Sequence, residues 1–304
     1  MGTPGFAVPT LEALVAAGHT VPAVYTQPDR PKGRGQSLAM PPVKESALRL
    51  GLTVQQPEKI RETGVYEELA AIGADAMVVV GYGQIIPQRI IDLPRLGIIN
   101  VHASLLPRYR GAAPIQWAVA NGESVTGVTT MRIDAGLDTG DILLMEQTGI
   151  GPDETSVELS TRLARLGADL CVRTLAGLAA GTVTPQPQRH AEATLARILE
   201  KSDGVIDWKL PAAAIHNRVR GFQPWPGGVT ILRGQPLGIS RTRLVEDALP
   251  HEPGTVSVHG KRLLVSCGNG TTLELIDVQP AGKKRISAAD FLNGARLQAG
   301  ERLG

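Results

Sequence analysis

Apolar positions follow two different textures along the chain, and the change falls near residue 200. From Pro9 to His102, short apolar runs alternate with stretches of helical spacing. The pattern predicts helices over 8–17, 43–50, 66–72 and 87–93, followed by strands over 21–26, 52–56, 76–80 and 96–101. Strands that alternate with amphipathic helices build a parallel sheet with helices on its faces. Two more strands, 125–133 and 142–147, frame a loop at 134–141, and a long helix is expected over 154–180 with Asp153 or Thr155 as its cap.

After Gly181 the periodicity fades. Pro185, Pro187 and the polar residues around them read as a linker over 185–201. A short helix at 211–220 is followed by brief alternating runs at 229–233, 237–242, 255–258, 262–266 and 272–278, and Asn269-Gly270 is a strong hairpin signal. This second texture predicts a small antiparallel β-barrel of the OB-like, oligonucleotide-binding type. The fold class is therefore α/β, a parallel-sheet domain over 1–184 joined by the linker to a barrel over 202–304.

At 304 residues and 42% hydrophobic, the chain is long enough for two ordinary cores. No apolar run approaches the roughly 18 residues of a membrane helix. Residues 1–20 lack the layout of a secretion signal, so a cytoplasmic location is expected. Cys171 and Cys267 have neither metal-site nor disulfide spacing and are expected to be reduced. The net charge of +2 is unevenly spread: residues 201–304 hold 14 Lys and Arg against 9 Asp and Glu, leaving −3 for residues 1–200. A basic C-terminal third suits a polyanion, although it also suits an ordinary solvated surface. Aromatic content of 3% argues against stacking on bases, so any such contact is electrostatic.

The candidate chemistry lies in Asn100-Val101-His102-Ala103-Ser104-Leu105-Leu106-Pro107 and in Gly136-Leu137-Asp138-Thr139-Gly140-Asp141. On a strand, Asn100 and His102 point to the same face, so an amide donor sits beside a titratable base. With Asp138 nearby, these are the groups acyl transfer needs, and no serine or cysteine is required if the substrate brings its own amine. The same residues also fit a strand cap, a hydrogen-bonded core histidine and a plain Asp-Thr-Gly turn. His102 and Asp138 have no further histidines nearby, so a metal site is not expected.

Over nearly its whole length the chain resembles the methionyl-tRNA formyltransferase family. The matching segments run in order: Gly2-Thr3-Pro4 with 6–9, residues 26–31 with Gly33-Arg34-Gly35, Tyr82-Gly83-Gln84, 100–107, 110–116, 136–141, 206–208, 224–226 and 275–284. The Asn-x-His pair and the Asp-x-Gly loop are shared by folate-dependent formyltransferases at large, and the resemblance implies a Rossmann-like formyltransferase fold. It also implies Asn100, His102 and Asp138 as catalytic residues. Gly81, Tyr82, Gly83, Ser104, Leu105, Leu106 and Pro107 would hold the formyl donor, 10-formyltetrahydrofolate. Arg30, Lys32 and Arg34, in a loop where only Asp29 offers local neutralisation, would meet initiator methionyl-tRNA. The enzyme would act as a monomer, without a metal and without a membrane. A different 10-formyltetrahydrofolate-dependent transferase or hydrolase, or an inactive tRNA-binding homologue, would share part of this pattern.

Two departures accompany the resemblance. Gly5 stands where the family usually carries an acidic residue, and only Met1 precedes Gly2-Thr3-Pro4, where the family has an apolar strand. Such a strand would be buried inside the sheet, and losing it leaves ladder hydrogen bonds unmatched. A start codon assigned too late is the expected explanation. A version extended upstream is predicted to melt at a higher temperature than the chain as written, and equal thermal midpoints would refute this.

Overall fold

The computed structural model describes residues 1–32, 37–246, 249, 251–298 and 300–304. In chain order the elements are α1 (Val8–Ala16), β1 (Val24–Tyr25), β2 (Arg30–Lys32), β3 (Ser37–Ala39), α2 (Pro42–Arg49), β4 (Val54–Gln55), α3 (Thr63–Ile72), β5 (Met77–Val79), α4 (Gln88–Ile91), β6 (Ile98–His102), α5 (Pro114–Ala120), β7 (Val125–Arg132) and β8 (Ile142–Gly149). There follow α6 (Ser156–Ala179), α7 (Ala212–Gly221), β9 (Gly228–Leu232), β10 (Gln235–Val245), β11 (Val256–His259), β12 (Arg262–Ser266), β13 (Thr272–Pro280), β14 (Ile286–Ser287) and α8 (Ala288–Ala295). They form two compact units. The first takes Met1–Gly111, Thr126–Thr148 and Ser160–Leu195; the second takes Ala112–Val125, Gly149–Leu159 and Ala196–Gly304.

In the first unit β1 pairs in parallel with β4, and β5 in parallel with β6, Val79 standing opposite Asn100. The sheet then turns antiparallel: Asn100 lies opposite Met131 and His102 opposite Thr129 on β7, with β8 outside it. The parallel-sheet expectation thus holds for the pairs up to β6. From β6 to β7 the pairing is antiparallel even though α5 lies in the connection between them. Met1 and Gly2 lie along the sheet edges, the Val80 N–H donating to Met1 O and the Gly2 N–H to Tyr25 O, both at 2.9 Å. A cavity of about 620 Å³ borders these residues and is lined by Val24, Tyr25, Leu69, Met77 and Leu175 among others.

Burial explains the placement of β6 and α6. Ile98, Ile99, Val101 and His102 are all buried, as expected of a strand covered on both faces. On α6, Leu159, Leu163, Leu170 and Cys171 are fully buried at helical spacing. Thr155 caps this helix: its hydroxyl accepts from the Glu158 N–H, and the Glu158 carboxylate accepts from Thr155 in return. Close packing of α6 on the sheet requires Gly167, where a Cβ would stand 2.8 Å from Val101 Cγ1.

The second unit holds one antiparallel sheet in the order β11-β12-β13-β10-β9, with β14 added to β13. Its core combines Trp208, Ile215, Val219, Leu237, Ile239, Leu263, Val265 and Leu275. Asn269 and Gly270, both with positive φ, turn the chain between β12 and β13. A closed barrel does not form: β11 and β9 end the path, and among the described residues no ladder joins them. Alternation along each strand is legible in sequence, whereas closure depends on pairing between strands far apart in the chain.

Neither thiol is placed to react. Cys171 and Cys267 are free and buried, and burial disfavours the thiolate enough to push both up to about 12. An aromatic disulfide reagent is therefore expected to modify neither cysteine in the folded protein at pH 8 and both after unfolding in guanidinium. Rapid modification of the native protein would contradict the packing.

Candidate functional site

The end of β6 carries the candidate site. The pleat places Asn100 and His102 on one face, two residues apart. Asn100 is half-buried, and among the described residues its side-chain amide has no hydrogen-bond partner. An amide at a sheet end with both N–H groups uncommitted is a donor available to a ligand.

His102 is buried, and its Nε2 lies 2.9 Å from Tyr109 O. A carbonyl oxygen only accepts, so Nε2 carries the hydrogen and donates it there. Nδ1 is then the nitrogen free to take a proton, and it faces the Asp138 carboxylate, with Oδ2 at 3.7 Å. That distance is too long for a direct hydrogen bond. The same Oδ2 accepts from the Gly111 N–H at 2.8 Å. Asp138 is therefore held by backbone and faces the imidazole, while the Tyr109 carbonyl fixes the ring.

The loop that presents Asp138 is locally tight. The Asp134 carboxylate accepts from the Gly136 N–H at 3.0 Å and from the Thr139 hydroxyl at 2.7 and 2.8 Å. Asp138 itself sits at φ 51°, the left-handed region that Asp tolerates better than most residues. Gly140 allows the loop to close, because a Cβ there would lie 2.0 Å from Arg132 O.

The other expected contacts divide into side chains and backbone. The Ser104 hydroxyl is committed to Arg108 O at 2.6 Å, and the Thr129 hydroxyl donates to Ser104 O and accepts from the Leu106 N–H. Leu106 is buried, while Leu105 and Pro107 are half-buried. Gly81 and Gly83 have φ of 55° and 82°. The Tyr82 ring between them packs in the core, burial pushing its hydroxyl up to about 12, while its carbonyl accepts from Thr3 Oγ1 and Gln27 Nε2. The 81–83 segment thus offers backbone to a neighbour, and not the tyrosine ring.

Arg30 and Lys32 do not lie in an open loop as expected: they form β2, paired antiparallel with β3, Arg30 opposite Ala39. Arg30 is exposed. Asp29 is engaged elsewhere. Its carboxylate binds Lys44 at 2.7 and 2.9 Å and Gln56 at 2.7 Å, contacts that hold it below the usual carboxylate range. Arg34 lies outside the described residues. Three participants were not singled out in the sequence: Tyr109 and Gly111, which act through backbone groups, and Thr129, which acts through a cross-strand contact. Gly111 falls within the 110–116 segment that carries the resemblance and Tyr109 directly precedes it, whereas Thr129 has no such signal.

The end of β6 thus brings together an amide, an imidazole with one nitrogen committed to a carbonyl and a carboxylate held by a backbone N–H. The formyl transferase family model matches residues 1–175, and the model of the formyl transferase C-terminal domain matches residues 198–296. A methionyl-tRNA formyltransferase of Solibacter usitatus is 63% identical over 304 residues, covering 100% of this chain and 97% of the relative. That of Koribacter versatilis is 58% identical with the same coverage. Among solved structures, the sugar 3N-formyl transferase WlaRD, determined with dTDP and 5-N-formyl-THF, matches with a TM-score of 0.68 at 19% identity, over 93% of this chain and 97% of that one. The N-formyltransferase of Helicobacter canadensis, in complex with folinic acid and dTDP-3-aminofucose, gives 0.67 at 18%, over 92% and 97%. At these identities the two structures speak for the fold alone. The chain belongs to the formyl transferase family, within its methionyl-tRNA formyltransferase branch.

Proposed function

We propose that this protein transfers the formyl group of 10-formyltetrahydrofolate to the α-amino group of methionyl initiator tRNA, the step that prepares that tRNA for translation initiation. The observation that carries the reading is the arrangement at the end of β6, where an Asn100 amide with no partner among the described residues shares a face with a His102 whose Nδ1 faces Asp138. Full-length relatives at 58–63% identity, each a methionyl-tRNA formyltransferase, support it.

The residues present fit the donor. The free Asn100 amide offers a polar contact, the left-handed backbone at Gly81 and Gly83 permits close approach, and half-buried Leu105 and Pro107 offer apolar surface to a flat ring. 10-Formyltetrahydrofolate supplies the formyl carbon and a nitrogen leaving group. Asn100 donates to the formyl oxygen as negative charge gathers on it. His102 Nδ1 takes the proton released when the amine nitrogen bonds to the formyl carbon. Asp138 stabilises the resulting imidazolium, and His102 returns the proton to the folate nitrogen as its bond to carbon breaks. Atoms and charge balance without a covalent enzyme intermediate.

For tRNA we propose that the basic segment carrying Arg30, Lys32 and Arg34 meets the acceptor end. The antiparallel sheet of residues 202–304 serves as an OB-like binding surface, with register shifts between Ile239 and Thr242 as the bends along which it curls. Exposed Arg241, Lys261 and Lys283 through Arg285 suit phosphate. Arg220 does not: it is buried and donates to the carbonyls of Gly151 and Glu154. Arg243 and Arg262 both pair with Glu274. No helix among the described residues is long and apolar enough to cross a membrane, and we propose a cytoplasmic monomer.

The test is transfer of labelled formyl from 10-formyltetrahydrofolate to methionyl initiator tRNA. The full chain is expected to be active. Asn100→Ala is expected to lose about 100- to 1000-fold in kcat, the usual cost of an oxyanion donor. His102→Ala is expected to lose at least as much while keeping tRNA affinity. Full activity in His102→Ala would contradict the mechanism, and formylation of an amino sugar with none of tRNA would contradict the acceptor.

A further inference from the structure

Gln188 lies in the polar, Pro-containing stretch that reads as a linker, yet it is only 5% exposed. Its segment is pinned to the first unit by Gln186, which exchanges two backbone hydrogen bonds of 2.8 Å with Ile142. The Gln188 amide nitrogen donates to two carbonyls of the catalytic loop, Asp138 O at 2.9 Å and Gly140 O at 2.7 Å. Its amide oxygen accepts from Arg110 twice, from Nε at 3.1 Å and Nη2 at 2.6 Å. Arg110 is itself 6% exposed, and its Nη2 also meets His190 Nδ1 at 3.1 Å.

We propose that Gln188 is a positioning residue for formyl transfer, setting the Asp138 carboxylate against His102 by clamping two backbone segments to each other. The inference rests on the reading of His102 and Asp138 given above. The first segment, Tyr109 to Gly111, supplies the carbonyl that fixes the His102 ring and the N–H that binds Asp138 Oδ2. Arg110 stands between these two groups, and its guanidinium is tied to Gln188. The second segment is the Asp138 loop, whose carbonyls take both hydrogens of the same amide. Asp138 holds a left-handed φ of 51°, which Asp tolerates; hydrogen bonds inside the loop tie Gly136 and Thr139 to Asp134, and Gln188 adds a tie to the Asp138 and Gly140 carbonyls.

Glutamine is suited to this task for a chemical reason. One planar group presents two donors on one side and a two-lone-pair acceptor on the other, matching two carbonyls facing one guanidinium. Glutamate keeps the shape and the bond to Arg110 but turns an acceptor toward two carbonyls. Methionine keeps the length and leaves both carbonyls and the guanidinium without this partner, which is costly where water is excluded.

The experiment is a double-mutant cycle on the full chain, with Gln188→Glu, Gln188→Met, Asp138→Ala and the combined variants, read by single-turnover formyl transfer. Either Gln188 variant is expected to lower the transfer rate about 10- to 100-fold, the scale of a small misplacement of reacting groups. KM for folate and for tRNA should stay within about twofold, since the clamp orients and does not bind substrate. In an Asp138→Ala background the same substitutions should cost nothing further, because their effect passes through Asp138. If Asp138→Ala is impaired and Gln188→Glu transfers at the wild-type rate, the clamp is refuted. Losses that multiply independently would also refute it, showing a general structural effect. If Asp138→Ala itself keeps full activity, the underlying site reading fails and not the clamp alone. Should Gln188→Met fail to fold, Gln188→Glu carries the test.

Discussion

The geometry of the candidate site depends on one hydrogen bond, from His102 Nε2 to the carbonyl of Tyr109 at 2.9 Å. Because a carbonyl cannot donate, that bond fixes the tautomer and leaves Nδ1 open toward Asp138. It also relates the end of β6 to the turn that follows, since Tyr109 is held in the left-handed region at φ 60° and its N–H donates to Thr194 Oγ1 at 2.8 Å. The neighbouring Gly111 N–H then fixes the carboxylate, so ring and carboxylate are oriented by backbone groups only two residues apart. Preorganisation of this kind removes reorganisation from the reaction itself.

The sheet supplies the position, and the loops supply the groups that tune it. The strand β6 is buried on both faces and paired on both edges, so Asn100 and His102 have almost no freedom to drift. Asp138 sits on a loop closed by Asp134, Thr139 and the approach of Gly140 to Arg132 O. The candidate amide donor and base thus stand on a strand, and the candidate carboxylate on a loop closed by contacts of its own.

Much of the architecture was legible because periodicity and burial agree. The strand ending at His102 shows as an apolar run that carries two polar residues on one face, and α6 shows as leucines at helical spacing. The sequence points to Asn100, His102 and Asp138 as a candidate set because side chains, and not backbone groups, carry their chemistry. What escaped was carried by backbone or by distant partners: Tyr109 contributes a carbonyl, Gly111 an N–H, and Gln188 a contact across 50 positions. Proline and glycine made 26–35 look like a loop, whereas antiparallel pairing of Arg30–Lys32 with Ser37–Ala39 is a tertiary outcome. Closure of a barrel was beyond the same signals, because alternation gives the face of each strand and not the identity of its neighbour.

The most direct test of the account is nitrogen-15 NMR of histidine-labelled protein, with His102 assigned by substitution. The neutral ring is predicted to be the Nε2–H tautomer, with Nδ1 showing the shift of an unprotonated nitrogen and Nε2 that of a protonated one. A His102 that carries its proton on Nδ1 would contradict the account, because the nitrogen facing Asp138 would then be unable to take the proton released in the transfer.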